Sequence, residues 1–207
     1  MTTFEVYPAL DVYPTFEELV KQGSAGLGLY LGRVGIPAHP QITVSLHALG
    51  DNTPQRFSLS DPATWSSQTY AWFGVEGMDG GSDAYTLPLD DAARAYWADD
   101  LFQIPRYQKR EALIRSCLNM DHYWVFRCED QPVIMYAVYG FLAIALARLT
   151  GGFLYSKDGA WEADRFPAMV HEFLNWYLIP GQALTDETRE WSERYVALLK
   201  EELESIR

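Results

Sequence analysis

The sequence has few cysteines and no recognisable metal pattern, and this shortage excludes several classes of protein. Cys117 and Cys128 are its only cysteines, and neither has a partner at ligand spacing. Two cysteines in a chain of 207 residues do not make a disulfide framework. We therefore expect a protein of a reducing compartment.

Basic residues are also scarce: 16 stand against 28 acidic residues, which gives a net charge of −12. Nucleic acids and anionic lipids are bound through cationic surfaces that displace counterions. We therefore expect neither nucleic acid nor membrane as a partner. The same charge suits a basic partner protein, although many soluble proteins are simply acidic.

No stretch has the length of a membrane span or the pattern of an export signal. The apolar run from Val133 to Ala147 reaches Arg148 before the roughly 20 residues that a bilayer requires. The N-terminal sequence MTTFEVYPALDVYP has neither a basic n-region nor an apolar h-region. These patterns predict a cytoplasmic protein.

Catalytic motifs are missing as well. His171-Glu172 begins like a zinc-protease helix, but Asn175 stands where the second metal-binding histidine is needed. The chain has no G-x-S-x-G elbow, P-loop or Cys-x-x-Cys motif. We predict a protein that is not an enzyme and that needs no metal or cofactor.

Pairs of acidic residues leave one catalytic alternative open. The pairs are Asp90/Asp91, Asp99/Asp100 and Glu162/Asp164. Two acids can serve a glycosidase or a metal-dependent nuclease, but adjacent acids are more often solvated surface or helix caps. A hydrolase that uses such a pair is therefore an alternative to a binding protein.

The fold prediction is based on the uncharged stretch that includes Val133 to Ala147. Ala, Leu, Ile and Met dominate it, Pro132 suits a first helical turn and Gly151-Gly152 supplies a stop. A helix that is apolar on every side must be surrounded by protein. The sequence predicts one α+β domain spanning residues 1–207, with an antiparallel sheet in the N-terminal half. A largely helical C-terminal half packs with this sheet around a buried central helix at about residues 133–150.

Other elements follow from periodicity, caps and turns. Helices are predicted at residues 16–34 after Thr15, at residues 90–101 and at residues 105–118. Two more are predicted near the C-terminus, one from Asp164 to about residue 177 and one after Thr185. The inward-facing residues of this last helix are expected to be Trp191, Tyr195, Leu198 and Leu199. Strands are predicted at residues 42–48, 56–59, 69–75, 84–89, 122–128 and 153–155, after an extended N-terminal segment marked by Tyr7-Pro8 and Tyr13-Pro14.

Acidic residues are concentrated in residues 76–100, where Arg94 is the only basic residue. The acids are Glu76, Asp79, Asp83, Asp90, Asp91, Asp99 and Asp100, and the interleaved aromatic and sulfur-containing residues are Trp72, Phe73, Met78, Tyr85, Tyr96 and Trp97. Aromatic anchors among acids suit an interface with a basic partner. The other interpretation places these apolar side chains in the core and the acids on a solvated face.

The C-terminal half carries a family resemblance. The segment HYWVFRCEDQPVIMYAVYGFLAIALARLTGGFLYSKDGAWEADRFPAMVHEFLNWY resembles the immunity protein 52 family over about residues 123–177. The matching features are the aromatic strand, the Q-P turn, the Tyr-Gly helix, L-T-x-G, S-x-D-G-A-W and F-P-A. Lys157 departs from the acidic residue expected in S-x-D-G-A-W.

This resemblance implies an antitoxin-like role. Such proteins bind and neutralise polymorphic or type VI-secreted toxins, commonly with a restriction-endonuclease-like domain, and the family has no catalytic residues to carry over. The leading hypothesis is a cytoplasmic immunity protein that contacts a basic nuclease toxin through the acidic residues above, with Trp161, Glu162 and Asp164 as a second contact group. A scaffold protein for another basic partner is a further alternative.

Overall fold

The apolar segment forms a buried helix, α5 (Met135–Leu149), in the computed structural model, which describes residues 2–50, 52–66, 68–128, 132–158 and 161–205. Every residue from 137 to 147 is buried. The Glu202 carboxylate accepts hydrogen bonds of 2.8 Å from the backbone N–H groups of Val133 and Ile134, so a distant acid satisfies donors that precede the helix. Gly151, at φ +66°, takes the left-handed conformation that ends helices.

One antiparallel sheet supports this helix, with strand order β3-β2-β4-β5-β6-β1-β7. Its strands are β1 (Thr2–Tyr7), β2 (Ile42–Ala48), β3 (Pro54–Gln55), β4 (Thr69–Val75), β5 (Ser82–Pro88), β6 (His122–Cys128) and β7 (Phe153–Tyr155). The predicted α+β class and the buried central helix are confirmed. The sheet draws β6 and β7 from the second half of the chain.

The remaining α-helices connect the strands or follow the last of them along the chain. They are α1 (Phe16–Arg33), α2 (Asp91–Tyr96), α3 (Pro105–Gln108), α4 (Glu111–Cys117), α6 (Val170–Trp176) and α7 (Asp186–Ser205). A π-helical turn (Trp97–Leu101) follows α2, and 3₁₀ turns occupy Ala163–Arg165 and Pro180–Gln182. Thr15 and Glu18 form the capping box that starts α1.

Several boundaries differ from the sequence-based expectations. The extended N-terminal segment is a full strand, β1, which pairs with both β6 and β7. The strand predicted at residues 56–59 is wrong, because the segment after the β2 turn that pairs with β2 is Pro54–Gln55. The helix predicted at residues 105–118 is divided into α3 and α4.

The predictions for the last two helices are wrong in part. No continuous helix begins at Asp164, since Pro167 cannot donate a backbone hydrogen bond and disfavours helical geometry before it; α6 starts at Val170. Leu198 was expected to face inward but is 52% exposed, whereas Leu199 is buried.

The layers meet through close contacts of α5 with α1 and with the sheet. A Cβ added to Gly23 of α1 would come within 2.8 Å of Leu142, and one added to Gly26 within 3.0 Å of Phe141. Phe4 of β1 stacks on Tyr139 of α5 at 4.7 Å between ring centroids. Small residues on α1 thus allow the two helices to approach closely.

Gly140 provides a test of this packing. A Cβ at Gly140 would overlap the Tyr177 ring, 2.6 Å from Cζ, so we expect Gly140→Ala to destabilise the protein by about 1–3 kcal/mol through overpacking. Thermal unfolding monitored by circular dichroism should show a transition several degrees lower.

The matched control is Gly28→Ala, because nothing lies within 4 Å of a Cβ at Gly28 of α1. This change should be neutral or should stabilise the helix by up to about 1 kcal/mol. Equal unfolding temperatures for wild type and Gly140→Ala would contradict the packing around α5.

Candidate functional site

The two faces of the sheet are covered differently. Phe4, Phe73 and Phe126 point to the face that packs against α5 and are fully buried. On the opposite face, Trp97 covers one end, where its ring lies 5.5 Å from Tyr7 and 5.7 Å from Phe153. The opposite face of β2, β4, β5 and β6 carries half-buried side chains. They are Ser45, His47, Tyr70, Trp72, Asp83, Tyr85, Val125 and Arg127, and we call this region the open sheet face.

A ladder of rings crosses the open sheet face from strand to strand. His47 lies 5.3 Å from Tyr70, and Tyr70 lies 5.9 Å from Tyr85, with near-parallel rings in both pairs. The imidazole of His47 is held by Ser45 Oγ at 2.8 Å. Cross-strand ring contacts of this kind fix side-chain positions.

The ladder ends in an ion pair between neighbouring strands. Arg127 of β6 is directly opposite Asp83 of β5 and donates from Nε to Asp83 Oδ1 at 2.8 Å. Its guanidinium carbon lies 4.4 Å above the Tyr85 ring, and the Tyr85 hydroxyl donates to Asp83 at 2.8 Å. Burial, helped by the Asp83 carboxylate, raises the pKa of Tyr85 to about 12, so this phenol is neutral at physiological pH.

The predicted acidic residues form two separate groups. Glu76 and Asp79 are exposed at the turn between β4 and β5. Asp90 and Asp91 follow the opposite end of β5, and a seven-residue strand separates the groups by about 20 Å. The structure therefore does not join the described acids between Glu76 and Asp91 into one acidic surface.

Three of the five predicted acids whose side chains are described have identifiable local contacts. Asp83 is paired with Arg127. Asp90 caps α2 by accepting from the Ala93 N–H at 2.9 Å, and Asp91 lies 3.4 Å from Arg94. The side chains of Asp99 and Asp100 lie outside the described residues. Glu76 and Asp79 are thus the predicted acids best placed beside the open sheet face.

The second predicted contact group is divided in the same way. Glu162 is buried, and its carboxylate accepts from Arg165 and from the backbone N–H of Leu184, so it is not an exposed contact residue. Asp164 is exposed, and Trp161 is half-buried against Trp191. Only Trp161 and Asp164 of this group reach the surface.

The sequence left two interpretations of the aromatic residues near the acids, a binding surface or the core, and each holds for some of them. Trp72 and Tyr85 lie on the open sheet face, whereas Phe73 and Trp97 are core residues. His47, Tyr70 and Arg127 were not predicted as site residues. The alternation of polar and apolar residues in β2 and β4 contains the signal, because it places His47 and Tyr70 on the polar side of their strands.

Comparisons of this chain with protein-family models, with curated proteins and with solved structures find no match. The resemblance to the immunity protein 52 family therefore stays a prediction. Within the described ranges, no helix is long and apolar enough to cross a membrane. The same ranges contain no group of three or more His, Cys, Asp or Glu residues that could hold a metal ion.

Glu5 of β1 offers a test of the covered part of this face. Burial raises its pKa, although the Tyr7 hydroxyl donates to its carboxylate at 2.7 Å and Lys157 lies nearby. A raised pKa means that the protonated form fits the fold better. This contribution to stability is present below the ordinary pKa of 4.5 and is lost as the pH rises through the folded-state pKa.

We therefore expect Glu5→Gln to raise the unfolding temperature at pH 7, with a difference that shrinks as the pH approaches 4. Thermal melts across this range measure it, with the exposed Glu201→Gln as the control that changes little at either pH. A lower unfolding temperature for Glu5→Gln at pH 7 would show that the ionised carboxylate is favourable in the fold.

Proposed function

We propose that this protein is an immunity protein that binds a basic toxin and neutralises it by direct contact through the open sheet face and the adjacent acidic turn. The observation that carries the proposal is the half-exposed ladder of His47, Tyr70 and Tyr85. Along β4, Trp72 lies between Tyr70 and the exposed Glu76, so the open sheet face extends from this ladder to the acidic turn. The resemblance of residues 123–177 supports a restriction-endonuclease-like DNase as the toxin.

The side chains of the open sheet face suit a binding role. Tyr, Trp and Arg are the residue types that most often dominate binding energy at protein interfaces. Tyr70, Trp72 and Tyr85 are held in place by neighbouring rings or by the chain: a Cβ on Gly81 would come within 2.6 Å of the Trp72 indole nitrogen. Such a surface loses little conformational entropy when a partner covers it.

The charge of the protein supports a basic partner. A nuclease must present a cationic groove to the phosphates of its substrate. The net charge of −12 raises the rate at which such a protein is encountered, and the exposed acids at the β4–β5 turn orient it. In this proposal the aromatic rings supply affinity, and the acids raise the rate of association and orient the partner.

The hydrolase alternative needs two carboxylates that converge on one substrate atom. Asp90 caps a helix and Asp91 lies beside Arg94, while Glu162 is engaged by Arg165 within the protein and Asp164 is exposed. These arrangements favour the binding hypothesis over catalysis by these pairs. The scaffold alternative predicts binding without neutralisation.

The experiment is co-purification with the protein encoded by the neighbouring gene, followed by measurement of affinity and of DNA degradation by that protein. Tyr70→Ala and Trp72→Ala should each raise the Kd at least tenfold, which is about 1.4 kcal/mol. Inhibition of DNA degradation should weaken in parallel, because both readouts depend on the same contact.

Charge reversal separates steering from affinity. Glu76→Lys combined with Asp79→Lys should slow association and weaken its dependence on salt. Glu193→Lys combined with Glu201→Lys, at two exposed positions on α7, makes the same change in net charge and is the matched control, which should change the association rate and its salt dependence much less. Unchanged affinity in both aromatic variants would refute the open sheet face as the binding surface, and binding without protection of DNA would favour a scaffold.

A further inference from the structure

A second site lies on the other side of the sheet, at the start of α7. It is a pocket of about 430 Å³, and its lining includes Thr2 of β1, Glu187 and a group of aromatic side chains. Its volume is within the range of small-ligand pockets. Thr2 belongs to the face of β1 that packs against α5, so this pocket and the open sheet face lie on opposite sides of the sheet.

Five of the lining residues are aromatic, and their rings meet at steep angles. Trp161 and Trp191 are 5.1 Å apart with an interplanar angle of 67°, and Tyr136 and Trp191 are 5.7 Å apart at 73°. Tyr136 and Tyr139 meet at 77°. Rings arranged in this way form the corners of a box rather than a flat stack.

Other rings support the walls of this box from outside. Trp191 stacks on Tyr195 at 5.4 Å, Tyr139 on Phe4 at 4.7 Å and Tyr177 on Phe173 at 4.3 Å. Each of these three rings therefore has one face covered, which leaves its other face or its edge for the pocket. Burial raises the pKa of both Tyr139 and Tyr177, so their hydroxyls are neutral.

The charge of the lining is negative. Glu187 contributes a carboxylate, and none of the described residues that line the pocket is basic. The nearby Arg165 is engaged elsewhere, because it contacts Glu162 and lies 5.1 Å from the Trp176 ring. Ring faces carry negative potential and attract cations, most strongly where water is displaced.

The backbone at two lining residues is strained. Trp161 has φ +66° and Leu178 has φ +57°, a left-handed conformation that bulky residues rarely adopt. Two of the three described non-glycine residues with positive φ thus line the same pocket. Strain of this kind is concentrated at ligand-binding sites, where it holds side chains in a required position.

We infer that this pocket binds an organic cation, an alkylated ammonium group that is enclosed by the aromatic rings and faced by the Glu187 carboxylate. The cation is either a free small molecule or the ammonium group of a basic side chain. The inference does not depend on the proposed toxin binding, because the two sites lie on different sides of the sheet.

The test compares choline with 3,3-dimethylbutan-1-ol, a neutral molecule of the same shape, by calorimetric titration and by fluorescence of the pocket tryptophans. We expect choline to bind saturably and the neutral molecule to bind at least tenfold more weakly. Equal affinity of the two molecules would show a merely apolar pocket, and no saturable binding of any ammonium probe would overturn the inference.

Two further probes identify the source of the cation. N-acetyl-lysine amide and its trimethylated form present the same chemistry on a side chain. Tighter binding of either than of choline points to a basic segment of another protein, and tighter binding of choline points to a free small molecule.

Variants connect the binding to named residues. Glu187→Gln should weaken binding of the cations at least fivefold while leaving the neutral molecule unaffected, and Trp191→Leu should weaken it further. Glu190→Gln is the matched control, because Glu190 is exposed on the same helix and does not line the pocket.

Trp191 also packs on Tyr195, so the Trp191 variant can lose stability. Glu187 is exposed, so its variant should fold normally and decides the test alone. An unchanged ratio of cation to neutral affinity in Glu187→Gln would contradict the assigned role of the carboxylate.

Discussion

The fold depends on one constraint, which is that α5 is apolar around its whole circumference and must be covered on every side. The sheet covers one side, and α1 approaches closely on another because Gly23 and Gly26 lie against Leu142 and Phe141. Tyr177, just after α6, fills the space beside Gly140. Glu202, near the end of α7, accepts hydrogen bonds from the backbone just before α5, so the start of the helix depends on a distant part of the chain.

This arrangement leaves the other side of the sheet free for a different task. Because α5 and its neighbours occupy one face, the opposite face is covered among the described residues mainly at the end where Trp97 packs on Tyr7 and Phe153. The uncovered strands carry rings and charges that stabilise one another across strands, as with Arg127, Asp83 and Tyr85. A rigid scaffold with an aromatic open face is the physical basis of the proposed binding role.

Local patterns in the sequence predict much of the fold, and long-range contacts account for what they miss. The capping pair Thr15 and Glu18, the alternation in β2 and the aromatic strand β6 are all local signals that identify their elements. The position of β1 between β6 and β7 depends on partners more than 100 residues away. Local periodicity contains no information about such pairing.

The candidate sites are likewise predicted only in part by local sequence patterns, because they depend on long-range contacts. The charge count identifies Glu76 and Asp79, but the pairing of Asp83 with Arg127 joins residues on different strands and removes one expected acidic contact. The buried position of Glu162 depends on Arg165 and on the distant Leu184 backbone. The aromatic pocket depends on the positive φ of Trp161 and on Trp191, which joins it from α7. No residue pattern predicts these contacts.

Side-chain footprinting with hydroxyl radicals tests the central claim most directly, by comparing the free protein with its complex with the neighbouring gene's product. The proposed binding through the open sheet face predicts that Tyr70, Trp72 and Tyr85 lose reactivity in the complex, while Trp191 on the other side of the sheet keeps its reactivity. Protection of Trp191 together with unchanged reactivity of Tyr70, Trp72 and Tyr85 would contradict it.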